Sequence, residues 1–276
     1  MYFCNYIYYL LVIDFFKYNS SGNDFIIIDN RTKRFKINAN LIKQMCHRKF
    51  GLGADGLIFI EPSSDANYFM NYFNSDGLPS SLCGNGSMCC AHLAKSLGLL
   101  EKQSDFFIGL FATREGVFNT SVGHDNVTVS LPNVSSFKTI DDDILINTGS
   151  PHFVKFTSFL EKINVNKEGK KIRYNSIFAK DGVNVNFVQS NEDGIFIRTY
   201  ERGVESETLS CGTGVVAAVL SLFLSNKLST TSDVIVNAKG GPLKVSYEYD
   251  ILKKMFYNIS LSNKVHMVFK GQTKIN

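Results

Sequence analysis

Two stretches of this sequence have the same form: Cys83–Ala94 (CGNGSMCCAHLA) and Cys211–Leu220 (CGTGVVAAVL). Each begins with a cysteine followed by a polar residue between two glycines. Each then continues as a run of small and apolar residues, a pattern typical of a helix that is buried on all sides. The two stretches therefore predict two buried helices, each with a cysteine at its start.

The start of such a helix is a favourable place for an anion. Its first N–H groups have no partner within the helix, and the aligned peptide dipoles place a partial positive charge there. Glycine lets a ligand approach the backbone closely, so a carboxylate fits at each start. The same field favours thiolate over thiol, and the thiolate is the reactive form. We therefore expect activated sulfurs at Cys83 and Cys211, with one carboxylated substrate between them.

The composition is that of an ordinary globular protein with one large domain or two modest ones. Of 276 residues, 44% are hydrophobic and 20% are charged, which is usual for such proteins. The net charge is +4 and the basic residues are scattered, so the sequence lacks the basic stripe of a nucleic-acid-binding protein.

Cysteine usage indicates reduced thiols. The six cysteines are Cys4, Cys46, Cys83, Cys89, Cys90 and Cys211. No secretory signal is evident, so we expect a cytoplasmic location and no disulfide framework. Residues 1–12 (MYFCNYIYYLLV) lack the basic start and cleavage site of a signal peptide and are too short to span a bilayer. They are interpreted as a dispensable extension or a start codon placed too early, with a weak membrane-surface role as the alternative.

Runs of β-branched and aromatic residues between turn residues predict many short strands. In the first half they lie at 13–29 (two strands around a turn at 19–23), 57–60, 68–73, 106–111 and 127–132. In the second half they lie at 144–148, 152–156, 182–188, 195–200, 233–238, 243–248, 253–262 and 266–271. Residues 131–133 form the predicted boundary between halves 13–132 and 133–276, and the last strand can return to the first half.

One amphipathic helix is predicted at 38–50, with Cys46 on its buried face because free cysteine is among the most buried residue types. The segment Gly51–Gly56 that follows superficially resembles a dinucleotide-binding loop. That fingerprint follows a strand and opens a helix, whereas this segment follows a helix and opens a strand. We therefore do not expect a nucleotide site.

The two halves share an order of features: a strand, polar residues, about ten further residues, the Cys-Gly-x-Gly motif and a buried helix. Asn74 precedes Cys83 by nine positions, and Glu201 precedes Cys211 by ten. This order suggests a duplicated unit with a cleft at the pseudo-twofold axis.

Two cysteines that face one carbon atom can invert its configuration. Inversion beside a carboxylate removes a proton from one face and delivers a proton to the other, so each group must act as both acid and base. Such groups work best with a pKa near the working pH, and cysteine lies near about 8.5 before a helix start lowers it. The N–H groups of both helix starts would stabilise the charge that builds on the carboxylate.

Packing is the alternative explanation of the motif, because small residues also let a helix cross a sheet closely. It is the simpler explanation for one copy, but two copies that each follow polar residues at a strand end favour a site. Cys89 and Cys90 have no counterparts in the second helix and are interpreted as core residues. A zinc site formed by Cys83, Cys89, Cys90 and His92 would lack the usual ligand spacing, so no metal is expected.

Polar residues at strand ends are candidates for holding a substrate. Arg202 can hold a carboxylate with two hydrogen bonds, and Glu201 can accept one from an ammonium group. This pair is the most specific signal, because opposite charges before a cysteine suit an amino-acid substrate. Four asparagines can donate or accept, although any one alone is more often a turn residue: Asn23, Asn74, Asn85 and Asn184.

In these motifs the sequence resembles the diaminopimelate epimerases, the cofactor-independent two-cysteine epimerases of lysine and cell-wall biosynthesis. The resemblance covers nearly all of the chain from about residue 13. Single motifs are weak signals, but their fixed order is specific. In that order they are Gly22–Phe25, Gly51–Gly56, Phe73–Gly77, Cys83–Gly86, Pro151-His152, Val183–Val185, Tyr200–Gly203 and Glu207–Gly214.

The resemblance implies an α+β fold of two pseudo-symmetric domains, each a curled, mainly antiparallel sheet around a central helix. It implies interconversion of LL- and meso-2,6-diaminopimelate by a homodimer that closes over its substrate, with Cys83 and Cys211 as the proton-transfer pair and no cofactor. The reacting carboxylate would be bound by Gly84, Asn85, Gly212 and Thr213. The amino groups and distal carboxylate would be bound by Asn23, Asn74, Ser150, Asn184, Glu201 and Arg202, with His152 in a supporting position.

The sequence departs from the family pattern at several places. Ser150 stands where an asparagine usually precedes Pro-His, which shortens the reach towards the distal end of the substrate. Met88 replaces a common arginine, Gly203–Glu207 has one extra residue, and Ser20 and Ser21 stand where glycine is frequent. None of these changes removes a residue that the chemistry needs.

Two other functions fit the same motifs. One is another cofactor-free racemase or isomerase, such as a relative of proline racemase, whose smaller substrate would not need Asn74, Asn184 and Arg202 at the distal end. The other is a non-catalytic amino-acid-binding protein, which would need the helix N–H groups but not the two sulfurs.

Overall fold

The structure is a computed structural model that describes residues 11–36, 38–80, 82–178, 180 and 182–275. Strands dominate it, and the α-helices are α1 (Ala39–Cys46), α2 (Gly84–Ser96), α3 (Val165–Arg173) and α4 (Gly212–Leu224). The first strands are β1 (Leu11–Ser20), β2 (Asn23–Asp29), β3 (Gly56–Glu61), β4 (Tyr68–Asn74), β5 (Glu101–Gln103), β6 (Phe106–Thr113), β7 (Gly116–Val122) and β8 (Val127–Ser130). The later strands are β9 (Phe137–Ile140), β10 (Asp143–Asn147), β11 (Pro151–Phe156), β12 (Asn184–Asn191), β13 (Gly194–Glu201), β14 (Ser206–Thr208), β15 (Val234–Ala238), β16 (Gly241–Asp250), β17 (Met255–Asn263) and β18 (His266–Ile275).

The strands pair in the same order twice. In the first unit β2 is parallel to β3, β3 antiparallel to β4, β4 parallel to β6, and β6, β7 and β8 follow antiparallel. In the second unit β11, β12, β13, β15, β16 and β17 repeat this sequence of directions. The predicted α+β fold of two similar, mainly antiparallel units is therefore confirmed.

The two units are joined along their sheets. β8 pairs antiparallel with β17, so that Val129 lies opposite Leu261. β9 follows the first unit and pairs with β10 at the start of the second, while β18 follows the second unit and pairs with β1. The last strand thus lies against the first. The boundary at residues 131–133 stays a prediction.

Each unit surrounds one central helix. In α4 every residue from Gly212 to Leu222 is buried, and α2 is buried from Gly84 to Ala91, as expected for helices that are small and apolar all round. The predicted core positions of Cys89 and Cys90 are confirmed. By contrast, α1 and α3 bury only one face each, as helices on the outer surface do.

The two central helices begin side by side. A Cβ atom added to Gly84 would lie 3.7 Å from Cα of Gly212, and one added to Gly212 would lie 3.4 Å from the backbone nitrogen of Asn85. The same two added atoms would come within 2.7 Å and 2.9 Å of Leu261 Cδ2. A larger residue at either start would therefore displace the Leu261 side chain, and the preceding cysteines lie at this junction.

Several local predictions are wrong. The helix predicted at 38–50 ends at Cys46, which is buried as expected. The chain turns there because His47 is extended and its Nδ1 accepts hydrogen bonds from the N–H groups of Lys49 and Phe50. The prediction missed α3, whose sequence VNKEGKKIR has few apolar residues, and the short or largely polar strands β5, β7, β9 and β14.

The predicted extension falls only partly within the described residues. Residues 1–10 lie outside them, whereas Leu11 and Val12 belong to β1 and pair with Ile275 and Lys274. Along the part of the chain that is described, no helix combines the length and the hydrophobicity needed to cross a membrane.

Candidate active site

A cavity of about 510 Å³ opens where α2 and α4 begin. Side chains from both units line it, so the site is formed only when the two units are joined. The predicted residues that line it are Asn23, Asn74, Cys83, Gly84, Ser150, Asn184, Glu201, Arg202, Cys211, Gly212 and Thr213. The other two predicted residues, Asn85 and His152, are completely buried behind it.

The two cysteines occupy equivalent positions, one residue before each central helix. Cys83 Sγ accepts a hydrogen bond from the N–H of Gly86 at 3.4 Å. Cys211 Sγ lies 3.6 Å from Thr213 Oγ1. Both cysteines are free thiols that line the same cavity.

The environment of both thiols opposes ionisation, and the sequence-based expectation of lowered pKa values is wrong for this structure. Burial raises the pKa of Cys83 to about 12 and holds the pKa of Cys211 well above its usual value, and the charge of Glu201 adds to both effects. The nearby N–H groups of Gly86 and Gly214 act in the opposite direction but are outweighed. Both sulfurs are therefore thiols at neutral pH in this state.

Asn23 connects Cys83 to a network of charged residues. Its Oδ1 lies 3.8 Å from Cys83 Sγ and 3.4 Å from Nδ2 of Asn85. Its Nδ2 donates to Asp55 at 2.8 Å, and Arg48 donates to the same carboxylate at 2.7 Å. The carboxylate fixes the amide, so Asn23 presents its oxygen to Cys83. The sequence interpretation gave Asp55 no role, although its place in Gly51–Gly56 was a signal.

Glu201 and Arg202 lie where β13 ends, beside the start of β12. The backbone N–H of Arg202 donates to Oδ1 of Asn184 at 2.8 Å, and Nδ2 of Asn184 donates to Ser150 Oγ at 3.2 Å. Burial raises the pKa of Glu201 to about 7, and the charge of Asp55 contributes. Glu201 is therefore close to half protonated at neutral pH.

His152 supports the cavity from behind. Its Nε2 lies 2.9 Å from Ser150 Oγ and 3.0 Å from Thr213 Oγ1. Burial lowers the pKa of His152 to about 3, and the charge of Arg202 adds to this effect. The imidazole is therefore neutral across the physiological range.

The cavity also has lining residues that the sequence interpretation missed, among them Tyr72 and Leu209. Tyr72 lies two positions before Asn74 in the same strand. Residues two apart in a strand point to the same face, and this spacing could have indicated that Tyr72 lines the cavity together with Asn74. Leu209 packs on the first unit at Gly22, where an added Cβ would lie 2.6 Å from Leu209 Cδ1. No feature of the sequence indicated this contact.

A metal site was not expected from the sequence. Within the described ranges, no group of three or more His, Cys, Asp and Glu residues is arranged to hold a metal ion. His92, a member of the zinc set that was considered, has its Nδ1 3.2 Å from the hydroxyl of Tyr18.

Solved structures with this fold include epimerases. A hydroxyproline epimerase from Agrobacterium vitis matches with a TM-score of 0.72 at 13% identity, over 96% of this chain and 93% of that chain. A PhzF-family phenazine biosynthesis protein from Bacillus anthracis matches with a TM-score of 0.71 at 16% identity, over 96% of this chain and 100% of that chain. By fold, the chain is a two-unit α+β protein of the kind to which these proteins belong.

Sequence similarity is more specific. The family profile described as diaminopimelate epimerase matches residues 15–135 and 144–260. The diaminopimelate epimerase of Flavobacterium psychrophilum is 39% identical over 92% of this chain and 98% of its own length. That of Aquifex aeolicus is 36% identical over 94% of this chain and 97% of its own length. The chain is therefore an isomerase, and it belongs to the diaminopimelate epimerase family.

Proposed function

We propose that the chain interconverts LL- and meso-2,6-diaminopimelate without a cofactor, by moving the α-proton between Cys83 and Cys211. The observation that carries this proposal is that both cysteines line one cavity at the adjoining starts of α2 and α4. Membership of the family supports the choice of substrate and a place in lysine and peptidoglycan precursor synthesis.

The two helix starts provide the site for the reacting carboxylate. The N–H groups of the first turn have no partner within a helix, and Gly84, Asn85, Gly212 and Thr213 occupy these positions. A carboxylate placed between them would receive hydrogen bonds from both units. Negative charge accumulates on it when the α-proton leaves, so these donors would stabilise the transition state more than the substrate.

The proton transfer needs one thiolate and one thiol. Both pKa values are high in the substrate-free state, so one of the two thiols must lose its proton to solvent when the substrate binds. The substrate brings an α-ammonium group into the cavity, and a positive charge beside a sulfur favours ionisation. The thiolate then removes the α-proton, and the opposite thiol delivers its proton to the other face.

The polar residues around the cysteines would hold the rest of the substrate. Arg202 would hold the distal carboxylate, and Glu201 would accept hydrogen bonds from an ammonium group. Asn23, Asn74, Asn184 and Ser150 would provide further polar contacts. These roles are supported by the shared cavity and by the charge pair at the end of β13.

Exchange in heavy water tests the reaction. Purified protein should incorporate deuterium at an α-carbon of LL-diaminopimelate, followed by NMR or mass spectrometry, and should leave proline unchanged. Exchange of proline without exchange of diaminopimelate would favour a proline racemase-like activity. Binding of diaminopimelate without any exchange would instead favour an amino-acid-binding protein.

The raised pKa of Glu201 is expected to make the stability of the folded protein depend on pH. The carboxyl group of Glu201 has a usual pKa of 4.5 and a folded-state pKa of about 7. Between these values the folded protein keeps a proton that the unfolded chain has lost, so stability falls as pH rises through this window. Glu201→Gln should therefore raise the melting temperature above pH 7 and change it little below pH 4.5. Glu115→Gln, at an exposed position, controls for the loss of one negative charge; an equal pH dependence in both variants would contradict the prediction.

A homodimer is also proposed. Met267, Val268 and Phe269 are each about half exposed on β18. Successive strand residues point to opposite faces, so each face of this segment is only partly covered by the residues that the structure describes. Sedimentation equilibrium should give twice the chain mass, and Val268→Lys should shift the equilibrium towards one chain. Monomers at micromolar concentration would count against the dimer.

A cytoplasmic location is proposed from the cysteines. Cys46, Cys83, Cys89, Cys90 and Cys211 are free thiols, as is usual in a reducing compartment. Cell fractionation with an antibody to the protein tests this location.

A further inference from the structure

A chain of buried polar side chains leads from the sheet of the second unit to Cys211. Thr199 Oγ1 donates to Asn186 Oδ1 at 3.0 Å, and Asn186 Nδ2 lies 3.0 Å from His152 Nδ1. His152 Nε2 lies 3.0 Å from Thr213 Oγ1, which lies 3.6 Å from Cys211 Sγ. The four polar residues that lead to Cys211 are at most 5% exposed.

The direction of these hydrogen bonds follows from the chemistry of the groups. The hydroxyl of Thr199 donates a hydrogen bond to the amide oxygen of Asn186. The amide nitrogen of Asn186 therefore faces His152 and donates to Nδ1. A neutral imidazole that accepts at Nδ1 carries its proton on Nε2. His152 is neutral, so Nε2 donates towards the hydroxyls of Ser150 and Thr213.

The hydroxyl of Thr213 contacts His152, Ser150 and Cys211. It has two acceptor positions and one hydrogen. His152 donates to it from Nε2, and Ser150 Oγ, which accepts from Asn184, lies 3.3 Å away and can donate to it as well. With Ser150 as the donor in that contact, the hydrogen of Thr213 points at Cys211 Sγ.

The backbone holds this arrangement in place. Asn186 and Thr199 lie directly opposite each other in the pairing of β12 with β13. A Cβ atom added to Gly214 would lie 2.5 Å from Asn186 Oδ1, so the first turn of α4 packs on this amide. The amide therefore touches the helix that carries Cys211 as well as His152.

We propose that Asn186, fixed by Thr199, is a positioning residue for Cys211. It holds His152 in the tautomer with the proton on Nε2, and this directs the Thr213 hydroxyl to the sulfur, where it stabilises the thiolate. The consequence for epimerisation rests on the proposed function. The effect on Cys211 itself does not.

Other charged groups near these side chains are unchanged in the variants below. The charge of Arg202 acts on His152, the charge of Glu201 acts on Cys211, and the Cys83 thiol is a further titratable neighbour of Cys211. In the Thr199 variants, which change no charge, a change in Cys211 reactivity would therefore be carried by the hydrogen bonds.

The first experiment removes the donor to Asn186. At pH values below the pKa of Cys211, Thr199→Val should lower the rate of Cys211 alkylation by iodoacetamide about tenfold. The reason is that a hydrogen bond to a charged group is worth about one pKa unit or more. Peptide mass spectrometry across pH gives the rates of Cys211 and Cys83 separately, and the Cys83 rate should stay the same. Thr199→Ser, which keeps a hydroxyl, should restore the Cys211 rate.

Thr120→Val is the matched control. Thr120 is also 3% exposed, and its hydroxyl donates to the carbonyl of Thr128, outside the cavity. It should leave Cys211 reactivity unchanged even where it lowers stability. An unchanged Cys211 rate in Thr199→Val, or an equal loss in Thr120→Val, would overturn the inference.

The second experiment reverses the tautomer. In Asn186→Asp, a carboxylate replaces the amide and can only accept, so the proton of His152 should move to Nδ1. The added negative charge also opposes ionisation of Cys211, so this variant tests the tautomer and the Thr199 variants test the effect on reactivity. Nitrogen-15 chemical shifts of the imidazole report the tautomer directly. A wild-type proton on Nδ1, or a tautomer change without a change at Cys211, would overturn the inference. If Asn186→Asp does not fold, the Thr199 variants still test whether the hydrogen bonds of Asn186 control the reactivity of Cys211.

The proposed function and the positioning role of Asn186 can fail independently of each other. If wild-type protein does not exchange the α-proton of diaminopimelate but these Cys211 effects occur, the proposed function fails and the positioning role stands. If wild-type protein epimerises diaminopimelate but substitutions at Thr199 and Asn186 do not change the alkylation rate of Cys211, only the positioning role fails.

Discussion

Replacing either Cys83 or Cys211 is expected to reduce epimerisation at least about a hundredfold, because a positioned acid or base typically contributes that much or more. Serine is the most informative replacement. Its hydroxyl does not ionise near neutral pH, yet it can accept the hydrogen bond from Gly86 that Cys83 accepts at the start of α2. Loss of activity in Cys83→Ser would therefore reflect chemistry and not the loss of a helix cap. Alanine at either position should have the same effect on activity.

The control for this prediction lies within the same helix. Cys89→Ala removes a sulfur from the buried interior of α2 without touching the cavity. It should lower the melting temperature and leave the rate per folded molecule close to wild type. Circular dichroism confirms folding, and exchange in heavy water gives the rate. Full activity in Cys83→Ser or Cys211→Ser would falsify the two-cysteine mechanism.

The second large effect is expected at Arg202. Arg202→Lys should raise KM for diaminopimelate about tenfold to a hundredfold with a smaller change in kcat. A point charge does not replace the planar, two-pronged contact with a carboxylate, and a hydrogen bond to a charged group is worth about 1.5–3 kcal/mol. The backbone hydrogen bond from position 202 to Asn184 is kept in this variant.

Arg198 provides the comparison on the same strand. Its guanidinium donates twice to the carboxylate of Glu207, at 2.7 and 2.9 Å, away from the cavity. Arg198→Lys should lower stability and leave KM unchanged. Steady-state kinetics on both variants separate a lost substrate contact from a general loss of packing. An unchanged KM in Arg202→Lys would show that another residue holds the distal carboxylate.

The positions of the cysteines could be predicted because their signal is local. A cysteine, two glycines and an apolar run are sufficient to indicate a buried helix start, and the repeated motif indicates that the two starts meet. The state of the thiols could not be predicted in the same way. Their pKa values depend on how completely the other unit covers them, and this burial outweighs the helix field.

The missed residues depend on contacts distant in sequence. Asp55 acts on Asn23 from the position before β3, 32 positions away. Its place in Gly51–Gly56 was a signal for a role, but it did not indicate this contact. Asn186 and Thr199 left a weak signal, since each is a polar residue in a strand of apolar neighbours. Only the pairing of β12 with β13 shows that the two side chains meet.

The pairing of β1 with β18 has a consequence for synthesis of the protein. Residues 11–20 leave the ribosome long before their partners, residues 266–275. β8 likewise cannot complete its pairing until β17 has been synthesised. The nascent first unit therefore carries two open strand edges through most of translation, in the form most prone to mispairing with another chain. Its native topology can close only after β18 has left the ribosome.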